Sequence, residues 1–529
     1  MVGDVVNLHQ TVTAIGLKDG PKLISLYVEP GTDISSGSQI GLPQLLDSAS
    51  DDQFTLLKSW IKVCDSDHDI CRRKYNLDGF SMPTRLIEVG ETVRLILSSS
   101  IKPSRYVALS HCWGHLEESQ KFCTYQSNIE QLKESIDLKR MPQTFMDAIT
   151  VTRGLGIKYI WIDSLCIIQD DHADWENEAR KMEQVYSAAY CTIGASSAKS
   201  SLDGFLAHRP PRSCVQIQTD DMGPLYACQA IDDFHQDVEL SELNKRGWVL
   251  QERALSRRSI FFSSSQVYWE CGTGVHCETL GRLKNSKASF LGDANFPKSA
   301  LAYYRDGRQV LIQDLYERYS SLAFTKPSDR SVAILGLQNR LERALQIPAA
   351  YGFFKDYFAR GLLWKRGQEG DMIPIQQQKS NQPPSWSWFS KEGVIEYLNL
   401  GFKQIDWATD DFENPFESFV RRDSTAGPNS KDGRISTILR GLGRHIKMSW
   451  DDILSDVTFD RKQDQEPDEL RCVIIGRDQA LGSDQDHRMV HVLIISKCKS
   501  IHGNMYERVG VASLMSSLVA SQGSWVNIL

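Results

Sequence analysis

The pattern of apolar and polar positions is densest in residues 156–171, GIKYIWIDSLCIIQDD. Tyr159-Ile160-Trp161-Ile162 is an apolar run without alternation, which suits a short strand buried on both faces. It stops at Asp163-Ser164, and a carboxylate directly after a buried strand needs a partner, a hydrogen bond or solvent. Residues 106–109 form a second short apolar strand, followed by a turn, Ser110-His111-Cys112-Trp113-Gly114. Pro142 then opens a helix at the favoured first position. Phe145, Ala148, Ile149, Thr152 and Leu155 share its inner face, and Gly156 ends it. Beyond the central strand, Asp174 caps a further helix with Glu176 and Glu178 in its first turn. Trp175, Ala179, Met182, Tyr186 and Ala189 recur there at steps of three and four. Residues 191–195 make a third strand. The β-α-β-α-β order predicts a parallel sheet with right-handed crossovers, and ligands in such sheets bind outside the strands' carboxyl ends.

The flanks read less regularly. Residues 23–28 suit a strand, and 52–75 suit a helix with Cys64, His68 and Cys71 on one face. Residues 214–228 are β-like, 248–255 are helical, and 260–263 and 267–270 are strands. In the 248–255 helix, Trp248, Glu252 and Leu255 share a face, so a carboxylate sits among apolar groups. Residues 280–300 read as a loop. Helical pattern runs over 308–346 and 351–364, and 366–382 reads as exposed. Trp386 and Trp388 alternate as in one strand and suit packing between domains. Residues 421–434 and 458–469 are connectors, and 470–476 and 490–496 are strands of an antiparallel C-terminal sheet. The expected fold is α/β: a short parallel core with β additions, then helical and β-rich regions. The expected divisions are 1–100, 101–280, 281–400 and 401–529.

Composition narrows the function classes. The chain has 529 residues, 41% hydrophobic, with net charge −7. An acidic chain without a basic block argues against nucleic-acid binding. No run approaches the roughly 18 apolar residues of a membrane span. The start lacks the basic and apolar regions of a secretory signal, so the twelve cysteines are expected as reduced thiols in the cytoplasm. Cys64, His68 and Cys71 suit either zinc or a buried thiol face. No fourth ligand stands nearby, and none completes a set around Cys271, His276 and Cys277, so no metal site is assigned.

Three blocks carry a resemblance: YVALSHCWG at 106–114, LGIKYIWIDSLCIIQD at 155–170 and RGWVLQE at 246–252. In order and spacing they resemble the conserved blocks of the fungal heterokaryon-incompatibility (HET) domain. The Cys64–His68–Cys71 helix, Pro83 to Ile87, Ser328-Asp329-Arg330 with Gly336, Pro384 to Trp388, and more weakly Tyr506 to Gly510 resemble long members of that family. The resemblance implies a fungal intracellular protein. Founding members trigger growth arrest or cell death when unlike individuals fuse, and some members are encoded in secondary-metabolite clusters. The domain has been compared with the TIR fold, whose enzymes cleave NAD using a glutamate four residues after a tryptophan. Trp248 and Glu252 have that offset, although Val249 replaces the TIR cysteine. The expected core is therefore TIR-like or Rossmann-like. No P-loop, NACHT-type switch or WD repeat is legible.

The candidate catalytic residues are Glu252, Asp163 and His111. Ser110, Cys112, Trp113, Gly114, Ser164, Cys166, Arg246, Trp248 and Gln251 are the candidate ligand-binding residues. The bland alternatives are that Asp163 caps backbone amides and that Glu252 pairs with Arg246 or Arg253. Cys112 or Cys166 as nucleophile would need a base and partial exposure. Three functions stay open: a HET-type death effector binding or cleaving a nucleotide such as NAD, a biosynthetic enzyme doing acid/base chemistry on a small metabolite, and a non-catalytic recognition protein. No cofactor is assigned beyond NAD as a substrate. The expected partners are a small molecule or nucleotide in the cleft and an allelic or non-allelic protein.

Overall fold

The computed structural model describes residues 8–10, 14–17, 22–31, 39–72, 82–218, 224–283, 297, 301, 307–368, 370–376, 382–401, 404–416, 435–467, 469–479, 488–498 and 504–529. The chain is mixed α/β and divides into two compact units, Met1–Ala300 and Leu301–Leu529. Among the described residues no helix is long and apolar enough to cross a membrane. The expected connector at 421–434 lies outside the described residues.

The first unit is built on a nine-stranded sheet. Its centre is four parallel strands in the spatial order Tyr159–Trp161, Val107–Ser110, Cys191–Gly194, Arg258–Phe262. The first three are the apolar runs of the β-α-β-α-β pattern, each buried throughout. The fourth was legible as a strand but not as a parallel one. Arg85–Val89 and Val93–Leu97 extend one edge in antiparallel fashion, and Val267–Cys271, Gly274–Cys277 and Arg282–Leu283 extend the other. In chain order the parallel strands run 2-1-3-4, so the direction of winding switches between Val107–Ser110 and Cys191–Gly194. The crevice at the carboxyl ends of those two strands is where such a sheet takes ligands.

Local chemistry explains the crossovers. Gln143–Gly154 is helical with Pro142 one step earlier than expected, at the cap. Gly156, at φ +74°, turns the chain back toward the sheet. The next helix, His172–Ala188, is capped by Asp171, which accepts from the amides of Ala173 and Asp174. Asp174, the expected cap, instead pairs with buried Arg85. Asp171 carries the same capping chemistry three residues earlier, which leaves Asp174 free for the ion pair.

A six-stranded sheet holds Lys22–Val28, Leu225–Gln229 and Cys214–Ile217. Cys214 and Cys228 lie directly opposite in its hairpin and form a disulfide. That corrects the expectation of reduced thiols throughout; the other ten cysteines are free.

In the second unit, Arg308–Ser320 and Leu335–Leu345 are helices. The expected 351–364 helix is only Phe358–Leu362. Tyr351 and Gly352 adopt positive φ and turn Phe353–Phe354 into a hairpin with Ala349–Ala350. Trp386 and Trp388 do not share a strand. Ser387 caps a 3-10 turn at Trp388–Ser390, and both indoles are buried within this unit, Trp386 against Phe353 and Phe358, Trp388 against Tyr316 and Phe389. The C-terminal sheet closes into a barrel: Arg471–Asp478, Met489–Lys497, Met505–Met515, Val519–Ile528 and Leu439–Ile446 pair in turn, and Arg444 meets Cys472. One of these pairings is parallel, against the antiparallel expectation. Buried Arg508 lies 3.2 Å from the Trp364 ring centroid and pairs with Asp460, which also takes Lys391.

Gly194 ends the third parallel strand under Phe261; a Cβ there would lie 2.4 Å from the ring. Gly194→Ala is expected to destabilise the first unit by about 1–3 kcal/mol, the cost of overpacking a tight core. Thermal unfolding of the full chain checks this, and an unchanged transition would contradict the packing.

Candidate functional site

The turn that leaves Val107–Ser110 gathers the site. Ser110 donates its hydroxyl to the Glu252 carboxylate at 2.5 Å. Three residues on, the Trp113 indole N–H donates to Asp163 at 2.8 Å. Between them, His111 Nδ1 lies 3.8 Å from Asp163, and Arg246 donates to the His111 carbonyl. Segments separated by 50 and 142 positions in the chain therefore meet at the carboxyl edge of the sheet.

Each carboxylate is placed by its own element. Asp163 follows the central strand and begins a single helical turn, Asp163–Cys166, where it accepts from the Ser164 amide at 2.7 Å. It therefore does cap backbone, but its second oxygen serves Trp113 and its side chain keeps 25% exposure. Glu252 belongs to the helix Gly247–Leu255, buried on nearly every side. Its carbonyl accepts from Ser256, which also bonds Thr192 on the third parallel strand. Arg253, one proposed partner for Glu252, pairs with Glu270 instead.

Burial sets the charge of the central groups. Desolvation pushes Glu252 up to about 7; Ser110, Arg246 and Tyr186 oppose the rise, and the nearby charge of Asp163 adds to it. Desolvation pushes His111 down to about 4, with Asp163 opposing and Arg246 assisting. The imidazole is thus neutral near pH 7, and its Nε2 is buried with no hydrogen-bond partner among the described residues, as is the Ser164 hydroxyl. The arrangement offers a carboxyl poised near neutrality for proton transfer or for stabilising positive charge.

The remaining candidates divide. Trp113 and Trp248 are half-buried, Gln251 is buried, and Arg246 borders His111. Gly114, at φ +81°, lets the turn pass Ser200, where a Cβ would lie 2.4 Å from that side chain. Its role is steric. Cys112 packs against Leu243 and Val249, and burial pushes its thiol up. Cys166 is fully buried and pushed up to about 12. Neither thiol meets the exposure and ionisation a nucleophile needs. Tyr186 escaped the sequence reading. It looked like one more apolar-face residue, yet its hydroxyl donates to the Leu109 carbonyl and bears on Glu252. A hydroxyl on a core-facing stripe was the available signal.

A cavity of about 760 Å³ opens at the other edge of the sheet, lined by Lys58, Lys62, Arg105, Lys158 and Tyr190. It borders the amino ends of the strands and holds none of the candidate residues.

Residues 106–252 match the family described as heterokaryon incompatibility protein (HET). This segment is a HET domain. Comparison with curated proteins and comparison with solved structures each find no match. The HET domain begins one residue before the first parallel strand and ends at Glu252, so it spans the whole Ser110–Asp163–Glu252 constellation.

Opposed titrations give a test. Glu252 rises from 4.5 to about 7 on folding, so its stabilisation is full below pH 4.5 and is lost as pH climbs to about 7. His111 falls from 6.5 to about 4, so its stabilisation is full above pH 6.5 and is lost as pH drops to about 4. Between pH 4.5 and 6.5 the two slopes cancel. Relative to wild type, Glu252→Gln is expected to gain stability as pH rises across that window. His111→Gln is expected to lose it, each by on the order of 3 kcal/mol at 1.36 kcal/mol per pKa unit. Urea unfolding of the full chain at a series of pH values measures both. Parallel profiles for all three proteins would contradict the assignment.

Proposed function

We propose that the HET domain is a nucleotide-cleaving effector of heterokaryon incompatibility, acting in the cytoplasm of a fungal cell on NAD or a close analogue. The observation that carries this reading is the Glu252 carboxyl, buried, shifted to about 7 and hydrogen-bonded to Ser110. It stands at the winding switch of a 2-1-3-4 parallel sheet, where open parallel sheets take their ligands. Half-buried Trp113, fixed by Asp163, supplies an aromatic surface for a base or nicotinamide ring.

In this reading the C1′–N bond between ribose and nicotinamide breaks, and its electron pair leaves with the nicotinamide. Positive charge develops on the ribose, and ionised Glu252, with Asp163 nearby, stabilises it in a site largely withdrawn from water. Water adds to C1′, and its proton passes to Glu252 or to neutral His111. The products are ADP-ribose, nicotinamide and a proton. Ser110 holds the carboxylate in place, and Arg246 keeps the His111 turn against the helix. His111, Asp163 and Glu252 equally suit acid/base work on another small metabolite, which makes that reading the alternative.

Purified full chain is expected to convert NAD to ADP-ribose and nicotinamide. Glu252→Gln should lower the rate by about 100-fold or more, the scale of losing a positioned catalytic group, with the fold intact by circular dichroism. Chromatography of the products measures it. Failure of the wild-type chain to consume NAD under crowding or with a protein partner would overturn the nucleotide reading. Growth arrest that survives Glu252→Gln would make the domain a recognition module.

A further inference from the structure

Apart from the acidic site, the first unit gathers a second set of chemically able side chains. Cys64, His68, Cys71 and Cys271 each bring one ligand atom, and the four lie within 4.8 Å of one another. We propose that these residues form a closed site of three thiolates and one imidazole for a structural zinc ion, tying the N-terminal helix to the hairpin at residues 267–277. Local spacing shows only three of the ligands, because the fourth stands 203 positions beyond His68.

Local structure explains the convergence. The helix Asp51–Ser66 ends at Asp67, and a single turn, Asp69–Arg72, restarts after His68. Cys64 leaves the last turn of the first helix, while His68 and Cys71 fold back from the break. Arg257 fixes the break by donating to the Cys71 carbonyl. Cys271 ends the strand Val267–Cys271, where the hairpin turns. The three thiols are 2% exposed or less, and all are free.

The distances suit the ion. Zinc–sulfur bonds of about 2.3 Å and zinc–nitrogen bonds of about 2.0 Å give tetrahedral edges of roughly 3.4–3.8 Å. His68 Nδ1 and Cys271 Sγ already stand 3.5 Å apart. The Thr273 hydroxyl lies 3.2 Å from Cys271 Sγ and 3.4 Å from His68 Nε2, where it can orient the thiolate and, through the ring nitrogen that faces away from the metal, the imidazole as outer-shell groups do. Three thiolates and one zinc carry a net charge of −1, and the Arg258 guanidinium interacts electrostatically with Cys64. Four protein ligands leave no open position, so the site is structural rather than catalytic. Capture of zinc releases the three thiol protons. His276 and Cys277, also weighed as ligands, are not in the cluster.

Elemental analysis of the full chain, purified under reducing conditions from zinc-supplied cells, tests the site. About one zinc per chain is expected for a four-ligand site, and cobalt exchange should give thiolate charge-transfer and tetrahedral d–d absorption. Cys271→Ser should lose at least 10-fold in bound metal. His68→Cys should retain it, as sites built from four thiolates do, and Cys123→Ser, outside the cluster, should retain it too. A chelator should lower the thermal transition of the wild type but not of Cys271→Ser. A wild-type chain without metal after zinc reconstitution, a Cys64–Cys271 disulfide under those conditions, or full zinc content in Cys271→Ser would overturn the proposal.

Discussion

The first unit depends on how one short turn commits its polar groups. Ser110 ends a strand that is fully buried, and its hydroxyl is held by Glu252. Trp113, three residues later, is held by Asp163. A carboxyl at 5% exposure without a donor would cost several kcal/mol, more if ionised. The Ser110 bond, the Tyr186 hydroxyl and Arg246 offset that cost but do not cancel it, which is why Glu252 stays near neutrality. The same turn thus locks two crossovers and the Glu252 helix together and leaves one proton-exchanging group among them.

This constraint orders the neighbouring features. Gly194 and Gly114 keep the carboxyl edge thin where Phe261 and Ser200 approach. Arg85 is drawn to Asp174 and to the Cys166 carbonyl, holding the Asp163 turn from beneath. His111 packs edge-on against Phe145 from the first crossover helix, and that enclosure keeps it uncharged. The cation-lined cavity at the amino edge has a volume of about 760 Å³, yet it lacks a buried carboxyl held near neutrality. Chemistry distinguishes the Glu252 edge.

Much of this was legible in the residues. The parallel strands announced themselves as short apolar runs, and the crossover helices as stripes of Phe145, Ala148 and Ile149 or Ala179, Met182 and Tyr186. A carboxylate on an apolar helix face marked Glu252 before its partner was known. What escaped was non-local. Nothing in Cys64, His68 and Cys71 points to Cys271, and nothing in the alternation of Leu439–Ile446 says that Arg444 meets Cys472 to close a barrel. Asp171 and Asp174 are equally good caps by type, and only the position of Arg85 decides between them. The 351–364 stretch has helical composition, but left-handed Tyr351 and Gly352 redirect it, and tertiary contacts offset the cost of that backbone choice.

The protonation of Glu252 is open to direct measurement. Infrared difference spectra of wild type against Glu252→Gln, recorded from pH 4 to 9, isolate its carboxyl C=O band. The band is expected to vanish with a midpoint near pH 7. A band already gone by about pH 5, the ordinary range of an exposed carboxyl, would mean that Glu252 is neither buried nor held by Ser110 as described.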